Sequence, residues 1–522
     1  MGYYITMKKH LHLTILTLTT AALSLTGCSR IFRLITNIGG REELTTLNKT
    51  KMQYTYKDYL KNNVFDMDGA PSTGDVKLLV IPVWFTDSSN YIKTEAKKTT
   101  LRQDIQKAYF GTANDTGWNS VASYYATESN GKLNLTGTVS NWYECGYSSS
   151  YFYDSESKTV NLVSDAVNWY KTSTGKSSLT EYDSDKNGYL DGVMLIYASP
   201  DYATMKNDNA KNMWAYCYWL QNKNPNTNNP TPNVFFWASY DFMYGTGTNI
   251  SAYNGGDTSH CTLDTHTYIH EMGHVFGLSD YYDYSNKYSP AGGYTMQDYN
   301  VGGHDPYSVM ALGWADPYIP TTTCQLELKP FQSSHELILL PSNNSRSVFD
   351  EYLLLEFYTT GGLNEFDHKY QYLNKFPTGP VKAGIRLWHV DARLISIYPN
   401  DLDAEYQTSI GVNKIEANRG VYHMMSNTYY SEESASYISV LGRDYENYNL
   451  LQLIRNSKKE THHNEYVMDD YSIFGANSSF SASDMSKQFV KSGRFNSGAS
   501  IDWSFKVNKV EKDRAVITVT KK

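Results

Sequence analysis

The chain has few cysteines and few histidines, and no two cysteines are closely spaced. Its 522 residues include 5 Cys and 13 His. No cysteines form a C-x-x-C pair, which argues against a zinc site built from thiolates. A glycine-rich loop that could cradle phosphate groups is also missing, and no motif repeats at a fixed period. These absences argue against a phosphate-binding loop and against a repeat architecture.

The balance of charge is acidic. The chain carries 46 Lys and Arg against 54 Asp and Glu, which gives a formal net charge of −8 at pH 7. Proteins that bind nucleic acid present clustered basic residues to the phosphates, so we expect no nucleic-acid partner. A chain of 522 residues also exceeds what one hydrophobic core normally serves, which indicates more than one domain.

An apolar run stands at the N-terminus, where two lysines precede Leu11–Leu25. This is the form of a secretory signal, and the run is short for a membrane-spanning helix. It ends in Leu25-Thr26-Gly27-Cys28, which resembles the lipobox of bacterial lipoproteins, with Cys28 as the lipidated first residue. We therefore assign residues 1–27 to a lipoprotein signal peptide and expect an exported, membrane-anchored protein of the bacterial cell surface. A plain cleaved signal or an uncleaved anchor is the alternative.

Four cysteines remain once Cys28 is assigned to the lipid anchor. They are Cys145, Cys217, Cys261 and Cys324. In an oxidising extracellular setting they could form two disulfides by three connectivities, and equally they could remain thiols. Cys261 lies close upstream of the strongest motif in the chain, so a bridge there would brace that motif.

The strongest motif is His270-Glu271-Met272-Gly273-His274-Val275-Phe276-Gly277-Leu278-Ser279-Asp280. Residues four apart share one face of a helix, so His270 and His274 can direct ring nitrogens at one ion with Glu271 beside it. Gly277 can take the left-handed conformation that ends a helix. The chain can then double back and bring Asp280 under the metal.

Two imidazoles and a carboxylate are zinc ligands, and three protein ligands leave the fourth position for water. Spacing favours Asp280 as the third ligand, and Asp283 is its rival. Zinc would activate the water and polarise a carbonyl, while Glu271 would serve as general base. The candidate phenol donors to the oxyanion are Tyr294, Tyr299 and Tyr307. A structural histidine pair is the alternative, but it would need neither the Gly nor the Asp at these offsets, so the sequence predicts a zinc hydrolase.

Further segments accompany this motif. They are Gly292-Gly293-Tyr294-Thr295-Met296-Gln297-Asp298-Tyr299, His304-Asp305-Pro306-Tyr307-Ser308-Val309-Met310-Ala311-Leu312-Gly313-Trp314, Ser120-Val121-Ala122-Ser123-Tyr124-Tyr125 and Gly384-Ile385-Arg386-Leu387-Trp388-His389-Val390-Asp391. Together they resemble the immune inhibitor A family of secreted bacterial zinc metallopeptidases, which are metzincin-like. The resemblance implies that zinc is held by His270, His274 and Asp280, and that Glu271 is the base. It also implies that Met296 is the methionine of the turn beneath the metal.

A second candidate metal site is Asp183-Ser184-Asp185-Lys186-Asn187-Gly188-Tyr189-Leu190-Asp191-Gly192, which follows the pattern of a calcium loop. Its ligands would be Asp183, Asp185, Asn187, Tyr189 and Asp191. The twelfth position is Met194 rather than Glu, and the residues that follow are typical of a buried strand. We therefore predict a structural calcium site rather than an EF-hand switch, and an Asx-rich turn without an ion is the alternative.

The pattern of apolar residues predicts an α+β fold. A buried strand near residues 75–84 is followed by helical spacing at Leu101, Ile105, Ala108 and Tyr109, and again at Val163, Ala166, Val167 and Tyr170. Asp264 is the expected N-cap of the histidine helix. After Trp314 short alternating strands dominate, at residues 351–357, 384–391, 501–507 and 515–520. We expect a metzincin-like peptidase domain with a mixed twisted sheet backed by helices, followed by a β-rich, sandwich-like C-terminal domain.

These observations give four segments and one leading function. The segments are the signal peptide 1–27, a tether or pro-segment 28–74, a catalytic domain 75–320 and a β-rich domain 321–522. The expected function is a surface-tethered zinc endopeptidase that acts on extracellular proteins or peptides, with zinc as catalytic cofactor and calcium as a structural one. The alternative is a non-catalytic surface lipoprotein that binds a glycan or a host protein on the same scaffold.

Overall fold

The computed structural model describes residues 44–62, 68–220, 222, 224–244, 262–284, 289–299, 301–343, 346–372, 378–398, 407–412, 421–428, 448–458 and 469–522. The predicted signal peptide, Cys28 and Cys261 lie outside these residues. The chain divides after Thr45, and residues 46–522 form one compact unit. No helix within the described part of the chain combines the length and the apolar character that crossing a membrane requires.

The described α-helices are α1 Tyr56–Asn62, α2 Glu95–Phe110, α3 Ala113–Thr116, α4 Val121–Glu128, α5 Glu156–Ser173, α6 Tyr202–Met205, α7 His266–Val275, α8 Pro306–Ala311, α9 Phe331–Ser334 and α10 Asn364–Lys369. Both helices predicted from apolar spacing are present as α2 and α5. The predicted inward residues of each helix are buried, so this part of the sequence-based prediction is confirmed.

The first sheet contains six strands, β1 Gly74–Trp84, β2 Leu133–Val139, β3 Tyr143–Glu144, β4 Val193–Tyr197, β5 Tyr216–Trp219 and β6 Val234–Ser239. Their order is β2-β1-β4-β6-β5, with β3 also on β1. All neighbours are parallel except β5, which pairs antiparallel with β6 at the outer edge.

Strand β1 shows how helices cover both faces of this sheet. Alternate side chains point to opposite faces of a strand. Leu78 and Val80 belong to the core that holds α2, α4 and α7, whereas Leu79 and Ile81 belong to the core that holds α5. A sheet buried on both sides explains why β1 reads as a nearly continuous apolar run. The mixed sheet backed by helices, predicted from the sequence, is confirmed.

The remaining strands are β7 Cys324–Leu328, β8 Leu337–Pro341, β9 Glu351–Tyr358, β10 Gly384–Asp391, β11 Leu394–Tyr398, β12 Gln407–Val412, β13 Val421–His423, β14 Leu451–Ile454, β15 Ser479–Ser481, β16 Trp503–Val510 and β17 Ala515–Lys521. They form the antiparallel sheets β14-β10-β9-β8, β12-β11-β13 and β15-β16-β17-β7. Residues of the sheets β14-β10-β9-β8 and β15-β16-β17-β7 share one core, the sandwich core, which includes Leu355, Leu387 and Phe505. The predicted β-rich C-terminal region is therefore confirmed.

The sheet β14-β10-β9-β8 is buried on its other face as well. Leu354, Trp388 and Leu453 point away from the sandwich core and join the core that contains α7. Every residue of β9 and β10 is consequently buried. One layer of strands thus serves two cores, and the predicted domain boundary at residue 320 remains a prediction.

The described cysteines are thiols. Cys145, Cys217 and Cys324 are all free. Two disulfides among the four cysteines would require at least one bridge between two of these three residues, so of the two alternatives left open by the sequence the described residues agree with thiols. The thiols lie on β5, on β7 and just after β3, where they pack as small apolar side chains at the margins of cores.

Candidate metal centre and cleft

Helix α7 carries the H-E-x-x-H motif and is fixed at its start by Asp264. Its N-cap residue is Thr265, whose side chain makes no capping hydrogen bond. Instead Asp264 Oδ1 accepts a hydrogen bond of 3.0 Å from the amide of His266. The predicted N-cap is therefore displaced by one residue, although the carboxylate of Asp264 still satisfies one of the unpaired amides of the first turn.

The end of α7 turns the chain back beneath the helix. Gly277 has φ of +97°, a left-handed conformation that glycine adopts without steric cost. The amide of Leu278 donates to Gly273 O at 3.0 Å, which closes the last turn. The returning chain then brings Asp280 to the histidine face of the helix.

Three donor atoms converge at this face. Asp280 Oδ1 lies 2.9 Å from His270 Nε2 and 3.3 Å from His274 Nε2. A carboxylate oxygen of Glu271 and one ring nitrogen from each histidine also lie within 4.8 Å of one another. Asp283 is buried too, but it is not among the described residues that line the cleft at this site.

Both imidazoles are oriented through their other nitrogen. His270 Nδ1 donates to Met296 O at 2.8 Å, and His274 Nδ1 donates to Leu278 O at 2.7 Å. When neutral, each ring therefore presents an unprotonated Nε2 towards Asp280, which is the tautomer a metal requires. The side chain of Met296 is itself fully buried. Two neutral imidazoles and a carboxylate match the ligand chemistry of zinc.

Glu271 is a buried carboxylate with a free oxygen. Burial raises its pKa, and the neighbouring imidazoles of His274 and His270 partly oppose that effect. The backbone N–H of Cys217, on edge strand β5, hydrogen-bonds the carboxylate. Its Oε2 is buried and has no hydrogen-bond partner within the protein. Because such an atom normally has a partner, this oxygen is suited to a bound water or substrate group.

Charge at the site favours a cation. Burial alone would raise the pKa of Asp280, but the two imidazoles outweigh it and hold that pKa well below its usual range. Burial would lower the pKa of His274, yet Asp280 and Glu271 raise it to about 9. The carboxylates that favour a proton on His274 would favour any cation at the same position.

The site opens into a cleft of about 520 Å³. Apart from the motif, the described residues that line it are mostly aromatic. They are Tyr59, Trp214, Ala215, Tyr216, Cys217, Trp219, Tyr282, Tyr284, Met424, Ser426 and Thr428. A mostly apolar cleft with a few converging polar groups is typical of a binding site for an organic ligand.

Two of the three predicted phenol donors are in the wrong place. Tyr294 donates to Asn364 Oδ1 at 2.9 Å, and Tyr307 shares a hydrogen bond of 3.3 Å with the hydroxyl of Tyr56. Both rings are in the core, where they cannot reach a substrate. Tyr299 stacks on Tyr282 at 4.9 Å. The tyrosines that line the cleft beside Asp280 are Tyr282 and Tyr284, and sequence alone gave no sign of which tyrosines would be exposed.

Comparison with known families agrees with this geometry. Residues 63–299 match the model of the immune inhibitor A peptidase M6 catalytic domain. These residues form an M6 peptidase domain. The resemblance inferred from the sequence is thus confirmed, and a peptidase implies protein or peptide substrates. No curated protein matches the chain. The M6 domain includes the first sheet, α7 and Met296, but its match begins after α1 and ends before the C-terminal sheets.

Residues 183–192, the acidic loop of the M6 domain, have the predicted turn. Oxygen atoms of Asp183, Asp185 and Asp191 lie within 4.8 Å of one another. Asp183 accepts hydrogen bonds of 3.0 Å from the amides of Asn187 and Gly188, and Gly188 has φ of +92°. The amide of Tyr189 donates to Asn187 Oδ1 at 2.8 Å. The loop continues into β4, whose residues are all buried, as the sequence predicts.

A fourth carboxylate joins this loop from a distant segment. Asp68 Oδ1 accepts a hydrogen bond of 2.9 Å from Asn187 Nδ2, and its Oδ2 is buried without a partner. Burial, together with repulsion from Asp185 and Asp183, raises the pKa of Asp68 and that of Asp191 to about 7 each. No motif in the sequence indicates Asp68, because this residue lies far from the loop along the chain.

Tyr284 offers a direct test of how Asp280 is held. Its hydroxyl donates to Asp280 Oδ2, which leaves Oδ1 directed at the imidazoles. We expect Tyr284→Phe to weaken zinc binding by about 10- to 100-fold, as loss of a residue that orients a metal ligand typically does. Titration with zinc against a chromophoric chelator measures this. Tyr218→Phe is the control, since Tyr218 is similarly exposed and does not line the cleft, and equal affinity of both variants would contradict the assignment.

Proposed function

We propose that the chain is a zinc-dependent endopeptidase that hydrolyses peptide bonds of extracellular proteins. One observation carries the proposal: His270, His274 and Asp280 converge beside the buried carboxylate of Glu271, at the base of a cleft that is open to solvent. These three side chains would hold the zinc. Zinc, when bound, supplies a Lewis acid that lowers the pKa of water and polarises the scissile carbonyl.

The protein groups account for the remaining chemistry. Glu271 would accept a proton from the attacking water on a carboxylate oxygen and then deliver it to the leaving amine. Burial raises the pKa of this carboxyl, which suits a group that must both take and give a proton. Strand β5 stands at the outer edge of the described sheet. Its backbone could pair with an extended peptide and align it across the cleft.

The proposal is tested by zinc content and cleavage together. The soluble form that starts at Ser29 is purified, zinc is measured by elemental analysis, and casein cleavage is followed. About one zinc per chain with cleavage supports the endopeptidase. A folded, zinc-loaded protein that cleaves no unfolded protein would overturn it and would favour the non-catalytic binding lipoprotein.

We further propose calcium as a structural cofactor of the acidic loop. Calcium takes six to eight oxygen ligands in flexible geometry. Asp183, Asp185 and Asp191 bring carboxylates together, and Asp68 adds a fourth nearby. Residues 68–70, which include Asp68, also support the cleft. Trp219 Nε1 donates to Asp68 O, and the amide of Ala70 donates to Val275 O at the end of α7. An ion in the loop would stabilise this connection.

Calcium is therefore expected to stabilise the folded protein. At 100 times its dissociation constant, one calcium ion adds about 2.7 kcal/mol to the free energy of unfolding. We expect calcium to raise the Tm in differential scanning fluorimetry and excess EGTA to reverse the rise. Asp185→Asn should abolish the calcium-dependent rise in Tm. Asp208→Asn, at an exposed position outside the loop, should keep it. A Tm that is independent of calcium in the parent would rule the ion out.

We also propose that the protein is anchored at the cell surface through lipid on Cys28. The support is the sequence Leu25-Thr26-Gly27-Cys28 after a short apolar run. Cys28→Ala is expected to move the protein from the membrane fraction to the soluble fraction of the producing cells. Immunoblots of both fractions measure this, with Cys324→Ala as the control. Retention of the Cys28 variant in the membrane would indicate an uncleaved anchor instead.

A further inference from the structure

Residues that precede the M6 match contribute to the cleft. The family match starts at residue 63, yet Tyr59 lines the cleft together with His270, Glu271 and His274. We propose that α1 and residues 421–428 together form a permanent wall of the substrate cleft and that Tyr59, which joins them, is a substrate-positioning residue. The substrate-positioning role of Tyr59 rests on the proposed peptidase function. The position of the wall beside the cleft does not depend on that function.

The segment that carries α1 is tied to distant parts of the chain. The amide of Thr50 donates to Pro317 O, and the amide of Gln53 donates to Arg346 O, both at 2.8 Å. Tyr56 is only 1% exposed. Its ring packs against Tyr307 and Phe349 at 6.2 and 6.0 Å. These contacts build the segment into the main core rather than laying it over the surface.

Tyr59 connects this anchored helix to the opposite end of the sequence. Its hydroxyl donates to Tyr422 O at 2.9 Å, and its ring lies 5.7 Å from that of Phe349. Residues 421–428, which include Tyr422, supply three further lining residues, Met424, Ser426 and Thr428. The hydrogen bond of Tyr59 therefore holds these residues at Tyr422, in addition to the pairing of β13 with β11.

Residues 421–428 are also held beside the metal centre, through Asn427. Asn427 Nδ2 donates to Tyr281 O at 2.8 Å and to Leu451 O at 2.9 Å. Tyr281 is the neighbour of Asp280 in sequence. The wall thus runs from α1, through residues 421–428, to the residue that follows the third candidate ligand. Movement at the Tyr59 end would change the shape of the cleft close to the reacting groups.

This arrangement differs from that of an inhibitory pro-segment. A segment that blocks the enzyme must occupy the cleft and leave the core intact when it is removed. Among the described residues 44–62, only Tyr59 lines the cleft, while Met52 and Tyr56 belong to the core. Removing these residues would expose apolar surface and release the wall, so their removal is not expected to activate the enzyme.

The test compares two tyrosines of α1 in the full chain. Tyr59→Phe removes only the hydroxyl that bonds Tyr422 O. Tyr56 lies on the same helix as Tyr59 but does not line the cleft. Tyr56→Phe removes a hydroxyl that bonds to the hydroxyl of Tyr307. We expect Tyr59→Phe to accelerate hydrogen–deuterium exchange in residues 421–428 by about fivefold and to raise KM about fivefold with little change in kcat. Tyr56→Phe should change neither.

Two results would overturn the inference. One is equal exchange in residues 421–428 for both variants, which would mean that Tyr59 does not hold the wall. The other is faster exchange with an unchanged KM, which would mean that the wall does not position substrate. Hydrogen exchange needs no substrate, so a parent protein that cleaves nothing would contradict the proposed function alone. The exchange comparison would still decide whether Tyr59 holds residues 421–428 in place.

Discussion

Replacing Glu271 with alanine is expected to lower kcat/KM by about 10²- to 10⁴-fold, the usual contribution of a general acid–base group. The reason is that this buried carboxylate lines the cleft beside the imidazoles of His270 and His274 and has an oxygen without a partner in the protein. Zinc content should remain near that of the parent, because His270, His274 and Asp280 are the proposed ligands. Cleavage of a fluorogenic peptide and elemental analysis of the same preparation measure both quantities.

Glu271→Gln is the matched variant for this prediction. It keeps the shape of the side chain and can still accept the hydrogen bond from the backbone of Cys217, but it cannot take a proton from water. Both variants should therefore lose activity to a similar degree while their thermal stability stays close to that of the parent. Substantial activity in Glu271→Gln would remove this residue from the role of general base.

Loss of Asp280 is expected to have the largest effect on metal binding. Asp280→Ala removes the carboxylate that lies 2.9 Å and 3.3 Å from the two imidazole nitrogens. We expect zinc affinity to fall by more than about 100-fold, since loss of a direct ligand should exceed the effect of losing a group that orients one. Competition with a chelator of known affinity measures the change, and activity at limiting zinc should fall in parallel.

Asp283→Ala separates the two carboxylates that the spacing left open. Asp283 is buried, so this variant is expected to lose some stability while its zinc affinity stays within a few-fold of that of the parent. Thermal unfolding of both variants identifies any general loss of structure. If zinc affinity collapses in Asp283→Ala and survives in Asp280→Ala, the third ligand is Asp283 and the proposed ligand set is wrong.

The parts of the site that were predictable from the sequence are local. His270 and His274 share a helix face because they are four residues apart, and the turn at Gly277 returns the chain within a few residues. The strands β9, β10 and β17 were also predictable, since runs of apolar and β-branched residues bounded by turns indicate strands without knowledge of their partners.

The walls of the cleft could not be predicted in the same way. Tyr59, the edge strand β5 and residues 421–428 meet at the site only through tertiary packing. Likewise Asp68 joins the acidic loop from a segment without a motif. The error over Tyr294 and Tyr307 has the same origin, because a chain with 46 tyrosines does not indicate which of their hydroxyls face solvent and which bond within the core.

The ties of α1 also constrain how the molecule can fold. This helix is the first in sequence among the described residues, but the partners Pro317, Arg346 and Tyr422 of its segment follow several hundred residues later. Contacts between such distant positions form slowly, because the loop between them must close first. The cleft therefore cannot be completed by the M6 domain as it emerges. A nascent chain should remain without a finished catalytic cleft until the sheet β14-β10-β9-β8 has been made, which delays proteolytic competence until late in biosynthesis.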